Sequence, residues 1–171
     1  MPIARPPDKQ ADLIHKWAAP LTPNDTVSVE DGDSCVSIQW GKVLGIFEPG
    51  EHRLPAQIPD GVELWFCTTR RIFGTKFGGD VSAGHSAFGE FSFGVTSPHL
   101  LVAHVAGMGS AEGMTDYVKA AVMRGLKHAF GVMPLNPATL GDAQDLAKER
   151  INAELEPLGV KFSGFGMMNV N

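Results

Sequence analysis

The hydrophobic pattern of this chain changes period once, and that change limits the fold more than any other feature of the sequence. From Val27 to Thr96, apolar residues alternate with polar ones or form short blocks between turn residues. That is the pattern of strands. From Ser110 to Phe130 they recur at Met114, Tyr117, Val118, Ala121, Val122, Leu126, Ala129 and Phe130, the i, i+3, i+4, i+7 stripe of one helix face. The stripe returns at Ala143, Leu146, Ala147, Ile151, Leu155 and Leu158 before the strand-like run Val160 to Phe165. The order predicts an α+β fold: an antiparallel β-rich N-terminal half, then two helices and a C-terminal strand.

Local chemistry sharpens that outline. Val27-Ser28-Val29 leads into the turn Asp31-Gly32-Asp33, then into Cys35–Trp40, with Val36, Ile38 and Trp40 on one side and Cys35, Ser37 and Gln39 on the other. Gly41-Lys42 reads as a two-residue hairpin turn, with Val43–Phe47 returning. Pro49-Gly50 suits a type II turn before a short strand at His52–Leu54. Val62–Thr69 is apolar enough to be covered on both faces. Phe73–Gly84 is glycine-punctuated and reads as a loop or weak strand pair. Ala87–Thr96 is a long alternating strand with Phe88, Phe91 and Phe93 assigned to the core. Gly89 and Gly94 mark a bulge or the close approach of another backbone, and Gly125 a close contact with the sheet. Leu100–Val102 reads as a link to the helical half. The first long helix is expected to end at Gly131 and the second to start after Asp142; Pro157 stops the latter near Glu156, ahead of Gly159.

Before Val27, Ala11–Trp17 has the spacing of about two helical turns, with Leu13, Ile14 and Trp17 on one face. Residues 1–26 are therefore read as an N-terminal arm and residues 27–171 as the domain. A net charge of −5 with scattered basic residues argues against nucleic acid as a partner. Cys35 and Cys67 follow no signal peptide and are expected to be reduced core thiols, which points to the cytoplasm. No apolar run is long enough to span a bilayer.

Four further pieces occur in a recognisable order. They are Val29–Gly32 through Trp40–Val43 and Phe47–His52; Thr68–Arg70 followed by Phe77–Asp80; Phe88–Pro98; and the helical half from Asp116-Tyr117-Val118 to Gly159–Phe162. With them the chain resembles the SPFH, or band 7, superfamily of stomatins, prohibitins and flotillins, and looks closest to its bacterial virion-core-protein-like branch. The likeness runs from about Val27 to Asn169. It implies a non-catalytic scaffold or protein-interaction domain. Such a domain would form a homo-oligomer or bind other SPFH-type or client proteins, and would associate peripherally with the inner face of the membrane.

Catalytic motifs do not compete well with that reading. Gly107–Gly113 has the third glycine one residue late for a dinucleotide loop, and Met108 breaks the nucleophile elbow around Ser110. His15, His52, His85, His99, His104 and His128 lack the close spacing of zinc ligands, and His99 and His104 are placed across a strand or turn. Cys35 with His85, or Cys67 with His52, are the conceivable thiolate pairs; Cys35, on the polar side of its hairpin, is the more reactive candidate. Glu48, Glu51, Asp60 and Glu63 are expected to be solvated carboxylates. No catalytic, cofactor-binding or metal-binding residue is assigned, and no cofactor is expected. The alternative is a small-ligand or metal-binding sensor or enzyme domain whose pocket opens near residues 77–85, between Phe77 and His85.

Overall fold

The computed structural model describes residues 2–108, 113–134 and 136–171. Gly109–Glu112, with Ser110 and most of the glycine-rich link, lie outside the described residues. The chain divides into two compact units, Met1–Arg70 with Ser97–Met114, and Arg71–Thr96 with Thr115–Asn171. The fold is α+β: antiparallel β-rich at first, then helices and a closing strand.

The first unit holds strands β1 (Ile3–Ala4), β2 (Ile14–Lys16), β3 (Thr26–Val29), β4 (Asp33–Gln39), β5 (Lys42–Phe47), β6 (Gly50–Arg53) and β7 (Val62–Thr68), and helix α1 (Pro98–Met108). They form two sheets, ordered β1-β3-β6 and β2-β7-β4-β5. The β4–β7 pair is its centre, antiparallel and in unbroken register from Asp33↔Thr68 to Gln39↔Val62. Cys35, Leu64 and Phe66 pack with Ile3, Val27, Val29 and Leu54 in one apolar cluster. Val36, Ile38 and Trp65, at the alternate positions of the same strands, are buried as well, and α1 packs on β4, β5 and β7. Two-sided cover accounts for the apolar block at Leu64–Cys67.

Ala11–Trp17, read as about two helical turns, is not a helix. Ala11–Trp17 has three apolar residues at helical spacing, too short a segment to hold a helix by itself. Its backbone instead joins the sheet: Ile14 pairs with Cys67, His15 with Phe66 and Lys16 with Trp65. Ile3, Leu13 and Ile14 are buried, so residues 1–26 supply core. They also supply a buried cation. Arg5 Nη1 donates to Asp33 Oδ1 at 3.0 Å, with the two side chains 1% and 3% exposed. Arg5 Nε donates to Lys9 O at 2.9 Å, and Nη2 donates to Asp12 O. The guanidinium thus fastens the first dozen residues to the start of β4.

The link expected at Leu100–Val102 is part of α1. Its apolar residues lie on several faces, with Leu101, Val102 and Val105 buried and Leu100 and Met108 exposed, so no single stripe announces it. Pro98 suits its first turn.

The second unit holds β8 (Ile72–Ser82), β9 (His85–Val95), β10 (Val160–Val170), α2 (Met114–Val132) and α3 (Leu140–Leu155), with an antiparallel sheet ordered β10-β9-β8. The region Phe73–Gly84, read as a loop or a weak strand pair, lies in a strand of eleven residues, Ile72–Ser82, and the turn that follows it. Its glycines are tolerated because β9 supplies a ladder from Thr75↔Phe91 to Asp80↔Ser86. Phe91, Phe93, Phe162, Phe165 and Phe77 form a chain of ring contacts with centroids 4.9–6.2 Å apart. Phe88, assigned to the core from its neighbours, is 47% exposed and lies over Gly78.

The α2 stripe is buried as its spacing requires, from Met114 through Val118, Ala121, Val122, Leu126 and Ala129 to Phe130. The helix runs through Gly131 and ends at Val132. The α3 helix starts at Leu140, earlier than expected, and stops at Leu155; Pro157 sits in a 3₁₀ turn closed by Gly159 at φ 75°. Asn152, on α3, accepts from Phe162 N at 2.8 Å and donates to Phe162 O at 3.2 Å, so a side-chain amide ties the helix to β10. Gly89 does mark a close approach: a Cβ there would stand 2.0 Å from Met167 O, at the bulge between Phe165 and Met168. Gly94 meets nothing closer than Arg71 Cα at 3.8 Å. Gly125 faces α3 instead of the sheet, where a Cβ would stand 2.5 Å from Ile151 Cγ1 and 3.1 Å from Ala147 O.

Two substitutions test these contacts by urea unfolding. Gly125→Ala gains up to about 1 kcal/mol of helix propensity but overpacks a dry helix contact, for a net loss of about 1–2 kcal/mol. Asp33→Ala leaves Arg5 buried and unpaired, and is expected to cost about 3–5 kcal/mol.

Candidate functional site

The β4–β5 hairpin carries the chain's most unusual surface. Its register, Gln39↔Lys42, makes Trp40 and Gly41 the two turn residues, one position earlier than the sequence suggested. Both have positive φ, 50° and 79°, as a type I′ turn requires. For tryptophan this conformation is costly. The compensation lies in Gly61: a Cβ there would fall 2.5 Å from Trp40 Cζ2, so the bare glycine seats the indole. Gln39 Nε2 donates to Asp60 O at 2.8 Å and holds the two turns together. Trp40, expected to share a buried face with Val36 and Ile38, is 76% exposed.

Beyond the turn, β5 is an edge strand, flanked by β4 on one side. A register shift between Ser37 and Ile38 leaves Leu44 as the extra residue of a bulge. Leu44 is 53% exposed, Ile46 38% and Val43 37%. Together with Trp40 these put four exposed large hydrophobics into residues 40–46. Lys42 and Glu48 flank the three on β5, both exposed. The far end is fixed: His52 Nε2 donates to Glu48 O at 2.6 Å, and its ring lies 5.3 Å from that of Phe47. Unpaired edges of this kind offer backbone donors and acceptors to another chain, and the apolar side chains reward pairing.

The candidate chemical groups are dispersed or occupied. Cys35 is fully buried against its cluster rather than on a polar face. Burial pushes its thiol up to about 12, and burial does the same to Cys67, also to about 12. The two-sided cover of β4 therefore removes the more reactive candidate. Cys67 Sγ lies 3.6 Å from Thr68 O, while His52 is engaged with Glu48 and Phe47, so that pair is not assembled. Cys35 belongs to the first unit and His85 to the second. His99 and His104 sit on α1, five residues apart on a helix, and so point to different faces. His85 Nδ1 lies 3.2 Å from Ser82 Oγ at the β8–β9 turn. His128 is exposed on α2. His15 is shifted down, first by burial and then by the nearby Arg5 charge. Among the described residues, no group of three or more His, Cys, Asp or Glu side chains is placed to hold a metal.

The stretch 77–85 is the end of β8 with its turn into β9. A depression lies elsewhere along the same sheet, lined by Arg71, Phe73, Glu90, Ser92 and Phe165 among others and by no residue of 77–85, with Arg71 Nη2 donating to Ser92 Oγ at 3.0 Å. Of the carboxylates read as solvated, Glu63 is engaged. Lys16 Nζ donates to it at 2.5 Å and Trp65 Nε1 at 3.1 Å, and the Lys16 bond is the main cause of its lowered pKa.

No helix of the described residues is long and apolar enough to cross a membrane. No protein-family model and no curated protein sequence matches this chain.

Buried thiols with raised pKa give a two-part expectation. Native protein should resist a thiol reagent at neutral pH, with both cysteines reacting once denaturant is added. A raised folded pKa means the folded state holds its proton longer. Each thiol's contribution is therefore complete below about 9 and is lost as pH climbs from about 9 toward about 12. The slope is about 1.4 kcal/mol per pH unit for each thiol. Comparing the alkaline unfolding of wild type with that of Cys67→Ala isolates one thiol's share.

Proposed function

We propose that this chain is a non-catalytic, SPFH/band 7-like interaction domain that assembles with copies of itself or with client proteins. The observation that carries the reading is the hairpin edge. Trp40, Val43, Leu44 and Ile46 stand exposed on and beside a strand with a free side. Interfaces draw their energy from such anchors, tryptophan above all, when a partner removes them from water. The order of elements, a β-rich half followed by helices and a closing strand, supports the SPFH-type part of the proposal. The protein works in the cytoplasm, peripheral to the inner face of the membrane where it meets one; two buried, unbonded cysteines fit a reducing compartment.

Light scattering across a concentration series tests the self-assembling form. The weight-average mass is expected to rise between micromolar and near-millimolar protein. A monomer mass throughout that range overturns self-assembly.

A further inference from the structure

We propose that the β5 edge pairs with the β5 edge of a second copy, antiparallel and about a two-fold axis at Gly45. This inference rests on the assembly reading above and names both its surface and its register. Three features of the strand lead to it.

The strand and its flanks read Lys42-Val43-Leu44-Gly45-Ile46-Phe47-Glu48. Lying antiparallel on itself with Gly45 opposite Gly45, it sets Lys42 against Glu48 of the second copy at both ends. Leu44 then falls opposite Ile46, and Val43 opposite Phe47. The charges are complementary in this register, and every cross-strand position between them is apolar or glycine. Opposite charges and large apolar groups placed directly across a strand pair are both stabilising, whereas like charges there are destabilising. A second copy of this chain therefore satisfies the edge at every position, which a generic apolar peptide would not.

Exposure agrees with that occupant. Lys42 and Glu48 are both exposed and available, and Leu44, Ile46 and Val43 are exposed by 53%, 38% and 37%. Gly45 brings no side chain to the axis, where the two backbones and their flanking side chains are most crowded. A two-fold contact also closes on itself, since each copy uses the same patch, so the edge is consumed without open-ended growth. Seven residues a side bury less than the roughly 1,200–2,000 Å² of a stable interface. The pairing is accordingly weak and depends on concentration.

Charge reversal tests the register with the full chain, by sedimentation equilibrium across concentration. Lys42→Glu or Glu48→Lys alone places like charges opposite each other twice per dimer, and should weaken association roughly tenfold or more. The double variant Lys42→Glu/Glu48→Lys restores both pairs and should return association to near the wild-type level. Leu44→Lys, on an exposed position, should abolish pairing while leaving the circular dichroism spectrum and melting temperature unchanged. Assembly that persists unaltered in all these variants overturns the β5 pairing but leaves the assembly reading in place, on another surface. Equal weakening by the single and double variants overturns the Lys42–Glu48 register. A wild-type monomer at every concentration overturns both the pairing and the self-assembly on which it rests.

Discussion

In the first unit everything turns on the β4–β7 pair and the need to cover it on both faces. Seven consecutive residue pairs place Cys35, Phe66 and Leu64 toward one side and Val36, Trp65 and Ile38 toward the other. An apolar ladder of this kind is stable in water only when neither side is wet. The cover comes from distant parts of the chain. Ile3, Val27, Val29 and Leu54 close over Cys35, Leu64 and Phe66, while α1, which starts thirty residues beyond β7, packs on β4, β5 and β7 with Leu101, Val102 and Val105 buried. Two consequences bear on function. Both cysteines lie inside, so thiol chemistry is suppressed. And with the three-residue β2 at one edge of this sheet, its longer open edge falls at β5.

The second unit solves its packing by removing side chains at chosen points. Gly125 lets α2 and α3 approach to the distance at which Ile151 fills the place of a Cβ, and Gly89 lets the bulged backbone at Met167 settle onto β9. Around these contacts the phenylalanine rings of β8, β9 and β10 interlock, and Asn152 hydrogen-bonds the backbone of Phe162. Across the exposed sides of α2 and α3, Arg124 reaches Glu154 through both Nε and Nη2. An exposed ion pair of this kind adds little beside the glycine contact.

Of the candidate site, the sequence disclosed the hairpin but not its exposure. Val36, Ile38 and Trp40 alternate cleanly, and a strict period of two assigns Trp40 to the buried face. The ladder stops one residue earlier, at Gln39, and tryptophan enters the turn because Gly61 offers a seat for its ring. That seat lies twenty-one positions away in sequence, and no local signal reports it. The misplacement of Cys35 has the same origin. Serine and glutamine at alternate positions suggested a wet face, yet Ser37 is 8% exposed, its hydroxyl donating to Gly45 O at 3.2 Å. A polar residue in a strand is a poor guide to solvent when the neighbouring strand can accept its hydrogen bond.

The amino-acid order alone determined the α+β class, the buried stripes of α2 and α3, the stop at Pro157 and the two-sided burial of Leu64–Cys67, because each follows from periodicity or backbone chemistry within a single element. Tertiary structure decided the rest. Within Ala11–Trp17 the residues Ile14–Lys16 became a strand, the glycine-rich stretch after Phe73 became a long paired one, and the run from Pro98 became a helix without a stripe. In each case the local preference was weak, and another segment of the chain, the next strand for the glycine-rich stretch and distant ones for the other two, supplied the hydrogen bonds or the apolar surface. Which strand edge remained unpaired was settled in the same way, since pairing is a property of two segments and cannot be read from one.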